Sequence, residues 1–289
     1  MKLYVTGATG FVGRAVVAEA ADRGHEIVAA VRPASSGLSV GPTADGPAIT
    51  EARVDLRSRD GLVESLSGVD SVIHLAAAKS GDFYTQFAGT VIATENLLSA
   101  MTAAGVQQLV AISTFSVYDY LAMPAGSLLS EESPIDTDPA LRDEYARTKL
   151  IQEELYREFS DHSANEVTIL RPGMIYGADN LWHALLGAEL GPRFLRIGSK
   201  ATLPLTYVEN CAQAIVDTAE ALTVRPDELA GQTINIVDDD LPTQQVYAEE
   251  VDARINTPPT VSIPWPAMNA ATTALKKANG WLVGGRAKF

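Results

Sequence analysis

Tyr145 and Lys149 stand one helical turn apart in the run Tyr145-Ala146-Arg147-Thr148-Lys149, so on a helix their side chains share a face. Such a pair suits proton transfer, provided the phenolate is stabilised. A phenol has a reference pKa of about 10, and lowering it by ~3 units takes ~4 kcal/mol. An exposed ion pair contributes at most ~1 kcal/mol, whereas a cation ~4 Å away at an effective dielectric of ~20 contributes ~4 kcal/mol. Lys149 is therefore expected in a partly desolvated site. The hydroxyl that would hold a reacting oxygen is offered by Ile112-Ser113-Thr114-Phe115-Ser116-Val117-Tyr118, which begins at the C-terminal end of a strand-like run, Leu109 to Ser113. Ligands bind at such strand ends in open α/β sheets. Thr114, Tyr145 and Lys149 are the expected catalytic set, with Tyr145 exchanging the proton.

Positioning these groups requires a scaffold, and the first half of the chain supplies its pattern. Apolar, strand-like runs at Leu3 to Thr6, Ile27 to Val31, Val69 to Leu75 and Leu109 to Ser113 alternate with helical segments, and Val167 to Arg171 and Thr233 to Val237 add further strands. Near-continuous apolar strands separated by helices predict βαβ units, and hence an α/β fold with a doubly wound parallel sheet of Rossmann type. Helices are expected from Ala88 to Ala104 and from Ala140 to Phe159, the second with Ile151, Leu155 and Phe159 on one stripe. After Gly173 the glycine and proline content rises, so a smaller C-terminal substrate-binding region is expected over about 176–203 and 238–289, the nucleotide domain taking 1–175 and about 204–237. Pro258, Pro259, Pro264 and Pro266 stiffen a connection to an Ala-rich segment whose stripe Met268, Ala271, Leu275 and Ala278 is expected to pack in a core.

The first strand ends in Thr6-Gly7-Ala8-Thr9-Gly10-Phe11-Val12-Gly13, followed by a helix with Val12, Val16 and Val17 on its apolar face. In that context Gly7 permits a tight turn, Gly10 lets the backbone approach a pyrophosphate, and Gly13 lets helix and sheet pack closely. The helix N-terminus adds unpaired N–H donors, and a dinucleotide is the expected ligand. Where a carboxylate would grip the ribose 2′-hydroxyl of NAD, the second strand ends in Val31-Arg32, and a guanidinium suits a 2′-phosphate. NADP is the expected cofactor, with NAD the alternative. Asp55 and Leu56 are placed near the adenine edge. With hydride chemistry from a nicotinamide, the set reads as an oxidoreductase acting on a hydroxyl or ketone.

The bulk properties narrow the partners. A formal net charge of -14 opposes nucleic acid and anionic lipid, leaving a small-molecule substrate. The single cysteine, Cys211, has no intrachain partner, and the start Met1-Lys2-Leu3-Tyr4-Val5 runs directly into the glycine turn, so a cytoplasmic location is expected. The uncharged stretch Asn96 to Tyr118 is divided by Gly105 and Gln107-Gln108 and is not read as a membrane span. Asp238-Asp239-Asp240 is read as a solvated face, and no metal site is expected.

From residue 1 to about residue 240 the chain resembles the extended branch of the short-chain dehydrogenase/reductase superfamily. The family's TGxxGxxG appears as Thr6 to Gly13, its YxxxK as Tyr145 to Lys149, and the RPxxxYG of the extended branch as Arg171-Pro172-Gly173-Met174-Ile175-Tyr176-Gly177. The resemblance places Gly7, Thr9, Gly10, Phe11, Val12, Gly13, Arg32, Asp55, Leu56, Leu75, Ala76, Ala77, Tyr145, Lys149 and Pro172 around the cofactor. His74, in His74-Leu75-Ala76-Ala77, is read as packing or hydrogen bonding. Thr90 stands where the family often has Asn. Phe115-Ser116 replaces the Asp-Glu pair of sugar-nucleotide dehydratases, removing the acid and base that water elimination needs. The resemblance further implies a sugar or nucleotide-sugar substrate and a homodimer formed through the two expected helices. An NAD-dependent sugar-nucleotide epimerase and a non-catalytic dinucleotide sensor are the alternatives.

Overall fold

The structure, a computed structural model, describes residues 1–38, 48–120, 122–124, 126–162, 165–181, 186–198, 200–255 and 259–283. Pro258, from the proline-rich connection, lies outside them. The chain runs through β1 (Lys2–Thr6), α1 (Phe11–Asp22), β2 (Glu26–Val31), β3 (Ile49–Arg53), α2 (Leu62–Ser65), β4 (Ser71–His74), α3 (Phe83–Phe87), α4 (Ala93–Ala104), β5 (Gln108–Ile112), α5 (Glu144–Ser160) and β6 (Glu166–Pro172). It continues as β7 (Met174–Tyr176), β8 (Ala188–Leu190), β9 (Arg193–Ile197), β10 (Leu205–Tyr207), α6 (Val208–Val224), α7 (Pro226–Leu229), β11 (Thr233–Ile236), α8 (Gln244–Asp252), β12 (Thr260–Ile263) and α9 (Trp265–Val283).

Seven strands form the central sheet in the order β11-β6-β5-β4-β1-β2-β3, and every neighbouring pair is parallel. Successive side chains of a strand face opposite sides, and both sides are buried here, which is why the strands read as unbroken apolar runs. Leu3 and Val5 of β1 join Val16 and Val17 of α1 and Ile215 and Ala219 of α6 on one face. Tyr4 of the same strand joins Leu97 and Met101 of α4 and Tyr156 of α5 on the other. The chain starts at β1, moves outward through β2 and β3, then returns to β4 on the opposite side. The C-terminal ends of β1 and β4 therefore flank a topological switch point, where open α/β sheets bind ligands.

Two helices begin differently from their expected bounds. Asp143 accepts a hydrogen bond from Ala146 N at 2.7 Å and caps α5 at Glu144, while Pro139–Leu141 forms a separate 3₁₀ turn. The helix expected from Ala88 starts earlier, at α3, whose Asp82 cap accepts from Thr85 N at 2.9 Å, and it passes through a π-helical turn, Ala88–Ile92, into α4.

The chain divides into two compact units, Met1–Ile175 with Thr206–Asp238, and Tyr176–Leu205 with Asp239–Phe289. In the second unit β9 pairs antiparallel with β8 and parallel with β12. There Tyr247 of α8 stacks edge-on against Tyr176 and donates to Leu181 O at 2.8 Å. The core packing expected along α9 is not found at Ala271, which is exposed, and Met268 is half-buried. No helix among the described residues is long and apolar enough to cross a membrane. Asp239 and Asp240 are exposed, as expected, while Asp238 is half-buried and its carboxylate accepts from Tyr207 N and from Asn210 Nδ2 at the start of α6.

Candidate active site

Gly7 adopts φ +67°, and Gly10 N donates to Gly7 O at 2.9 Å, closing the turn. A Cβ on Gly13 would lie 2.1 Å from Gly7 O, so only glycine lets α1 approach this closely. A Cβ on Gly7 would come 3.0 Å from Ala76 N, which shows the turn lying directly against the backbone after β4. Gly10 caps α1 without a side chain, leaving the helix's first amides and its positive dipole end for an anion. Thr9 and Phe11 are half-buried around this opening and Val12 is buried. The cradle is shaped for backbone to meet a pyrophosphate. Gly13→Ala is accordingly expected to abolish nucleotide binding and to cost ~1–3 kcal/mol of stability through overpacking, as read by nucleotide titration and denaturant unfolding.

The segment after β4 meets the turn through Thr6, whose hydroxyl oxygen accepts from Leu75 N and Ala76 N, both at 3.1 Å. Those two amides are thus committed within the protein. Leu75, Ala76 and Ala77 offer half-buried side chains and carbonyls to the switch point. At the far side of the turn Arg32 is exposed just past β2. Asp55, just past β3, is gripped by Arg57 at 2.6 Å, which with the nearby Arg32 charge lowers its pKa. Leu56 is half-buried, and its carbonyl accepts from Asn96 Nδ2 at 3.0 Å.

Thr114 follows β5 in extended conformation and accepts from Ser116 N at 3.2 Å, capping the 3₁₀ turn Phe115–Val117. Tyr145 stands in the first turn of α5, beside the Thr114 hydroxyl. Burial raises the phenol's pKa, and the nearby Thr114 hydroxyl only partly offsets this. The lowered phenol pKa that a resting base would need is therefore absent, because Lys149 directs its ammonium elsewhere: Nζ donates to Ile112 O at 2.7 Å and to Gln152 Oε1. Lys149 is 3% exposed, and burial pushes its pKa down to about 7. The partly desolvated setting expected for it is present, and the phenol is protonated at neutral pH. Pro172 is buried at the end of β6, two strands from β4.

Of the stripe Ile151, Leu155 and Phe159, Phe159 is buried in the core, Leu155 packs half-buried against that core, and Ile151 is half-buried. The inward face of α5 also carries Lys149, Gln152, Glu153 and Tyr156. Glu153 is 1% exposed and forms ion pairs with Arg171, the arginine of the RPxxxYG run, and with Arg157, and accepts from Ser113 Oγ. Arg171 Nη1 also donates to Tyr118 OH at 2.9 Å, and Tyr118 OH donates to Asn235 Oδ1 at 2.7 Å. This network ties α5, β5, β6 and β11 together beneath Tyr145 and Lys149. Thr90 lies within the π turn, where its hydroxyl accepts from Ala78 N at 3.0 Å, so the π turn forms with threonine at this position. Among the described residues no group of three His, Cys, Asp or Glu side chains is arranged to hold a metal.

A doubly wound parallel sheet, with a glycine turn opening a helix at its switch point, defines a Rossmann-type nucleotide-binding protein. The sequence profile of the NAD dependent epimerase/dehydratase family matches residues 3–236, and the chain belongs to that family. It is 30% identical over 234 residues to the 2-alkyl-3-oxoalkanoate reductase of Stenotrophomonas maltophilia, covering 77% of this chain and 66% of the relative. It is 28% identical over 244 residues to the human sterol-4-alpha-carboxylate 3-dehydrogenase, decarboxylating, covering 82% of this chain and 62% of the relative. The matches thus span just under two thirds of these relatives' lengths. Among solved structures, MoeE5 in complex with UDP-glucose and NAD superposes with a TM-score of 0.70 at 26% identity, covering 91% of this chain and 85% of that one.

Proposed function

We propose that the chain is an NADP(H)-using oxidoreductase that interconverts a ketone and a hydroxyl, with Thr114 and Tyr145 on the substrate oxygen and Lys149 beside them. One observation carries the reading: Tyr145, beside Thr114, stands one turn from a buried lysine, at the same C-terminal end of the sheet as the glycine cradle. The cradle fits a dinucleotide, with Gly7, Gly10 and Gly13 at the pyrophosphate, and Leu75, Ala76, Ala77 and Pro172 along its path. When bound, that cofactor supplies a hydride to, or accepts one from, the substrate carbon. A phenol held protonated at neutral pH is the proton donor that ketone reduction requires. Lys149, in its charged form, stabilises the phenolate left behind.

Arg32, exposed just past β2, supports the preference for NADP over NAD, since the carboxylates nearby, Asp55 and Glu51, are held by Arg57 and Arg53. Arg32→Ala is expected to weaken NADPH binding by about tenfold or more, the loss of a charge-assisted hydrogen bond, with NADH binding changed little. Equal loss for both would remove the basis for the preference.

The substrate is a small molecule bearing a ketone or secondary alcohol. A sugar nucleotide is supported by the UDP-glucose of MoeE5, and a 3-oxo acid by the name of the Stenotrophomonas reductase. Screening both classes for loss of nicotinamide absorbance tests the reading; turnover with neither would contradict it. Phe115-Ser116 offers no carboxylate for dehydration, and Glu153 is committed to its ion pairs. A homodimer through α3–α4 and α5, and a cytoplasmic location, accompany this reading.

A further inference from the structure

The polar side chains under the active site form a hydrogen-bond chain whose direction is fixed at every link. Thr6 Oγ1 accepts from two backbone amides, Leu75 N and Ala76 N, so its own hydrogen goes to His74 Nδ1 at 2.7 Å. With Nδ1 accepting, the His74 proton lies on Nε2, which donates to Thr94 Oγ1 at 2.9 Å. Burial lowers the His74 pKa to about 3, so this neutral tautomer persists across the working pH range. Thr94 donates to Thr90 O in the π turn at 2.6 Å, leaving its oxygen to receive Gln152 Nε2 at 2.7 Å. The amide nitrogen of Gln152 is thereby held toward Thr94, and its oxygen faces the Lys149 ammonium. Flipping the amide would set two acceptors against each other at Thr94 and two donors against each other at Lys149.

We propose that Gln152 is a positioning residue for Lys149: its carboxamide, oriented by Thr94, His74 and Thr6, holds the ammonium between Ile112 O and the turn that carries Tyr145. This rests on the proton-transfer role proposed above for Tyr145 and Lys149. Gln152 and Thr94 are fully buried, so no water substitutes for either partner. Two of the three Lys149 hydrogens are fixed by Ile112 O and Gln152 Oε1, which sets the direction of the third. The titratable groups whose charges bear on Lys149 are Glu153 on α5 and Lys79 in the segment after β4, and the Lys149 charge in turn bears on His74 on β4. Gln152 is the neutral acceptor among them. A structural role alone would affect stability; a positioning role must also move the lysine's titration.

Gln152→Met preserves volume and removes the acceptor. Two readouts apply: steady-state kinetics with NADPH, and NMR titration of the isotopically labelled lysine side chains, which needs no turnover. The expected result is a kcat reduced by about tenfold or more, the loss of one hydrogen bond to a charged group, with nucleotide affinity within about twofold. The Lys149 midpoint is expected to fall by about one pH unit as its charged form loses a partner. Thr94→Val should reproduce both changes and Thr94→Ser should restore both, which also provides the test should Gln152→Met not fold. An unchanged Lys149 midpoint and kcat in Gln152→Met or Thr94→Val, with only stability lowered, would overturn the proposal. Retained turnover in Tyr145→Phe would instead refute the proton-transfer reading, whatever the Gln152 variants show.

Discussion

Tyr145→Phe is expected to reduce turnover by ~10²–10⁴-fold, the range for losing a general acid, while NADPH affinity and thermal stability stay close to wild type. The phenol lies beside Thr114, and the glycine cradle of Gly7, Gly10 and Gly13 lies on a separate segment. Removing the hydroxyl takes away a proton without disturbing that cradle. Single-turnover and steady-state assays on one batch of protein, with nicotinamide fluorescence as the binding control, separate chemistry from binding. Full activity in the variant would refute the assignment.

Glu153→Gln should have the largest effect on stability. The side chain keeps its shape but leaves Arg171, 2% exposed, without a counter-charge. Breaking one partner of a buried pair costs ~3–5 kcal/mol, because the remaining charge is stranded away from water. Burial by itself raises the Glu153 pKa, but Arg171, Ser113 and Arg157 outweigh it and hold the group below its ordinary 4.5. A depressed carboxyl contributes its stability in full above the unfolded-state value and loses it as pH falls through the folded value. The difference between wild type and variant in denaturant unfolding should therefore be full at neutral pH and shrink below about 4.5. A constant difference across that range would mean that the loss came from packing rather than charge.

The sheet was legible because both its faces are buried: Leu3–Val5, Ile27–Val31 and Leu109–Ile112 are apolar at every turn of the pleat. β3, at the sheet edge, reads Ile-Thr-Glu-Ala-Arg with exposed positions, and nothing in its pattern distinguishes it from a polar loop. Tyr145, Lys149 and Thr114 could be picked out by type and spacing. The network beneath them could not, because Gln152, Glu153 and Arg157 on a helix look like a solvated face with an i,i+4 ion pair. The missed signal was the spacing of Lys149, Gln152, Glu153 and Tyr156, which lie at i, i+3, i+4 and i+7 on the stripe that begins at Tyr145. Reading only apolar residues as inward picked out Ile151, Leu155 and Phe159, of which Phe159 is buried and the other two are half-buried. The direction of Lys149 toward Ile112 O depends on a contact across 37 positions, which no local pattern encodes.

Titration of nucleotide-free protein with NADPH and with NADH, followed by nicotinamide fluorescence and thermal shift, tests the central claim most directly. The predicted result is saturable binding with NADPH the tighter ligand, lost in Gly13→Ala and preserved in Tyr145→Phe. Binding of neither nucleotide would contradict it.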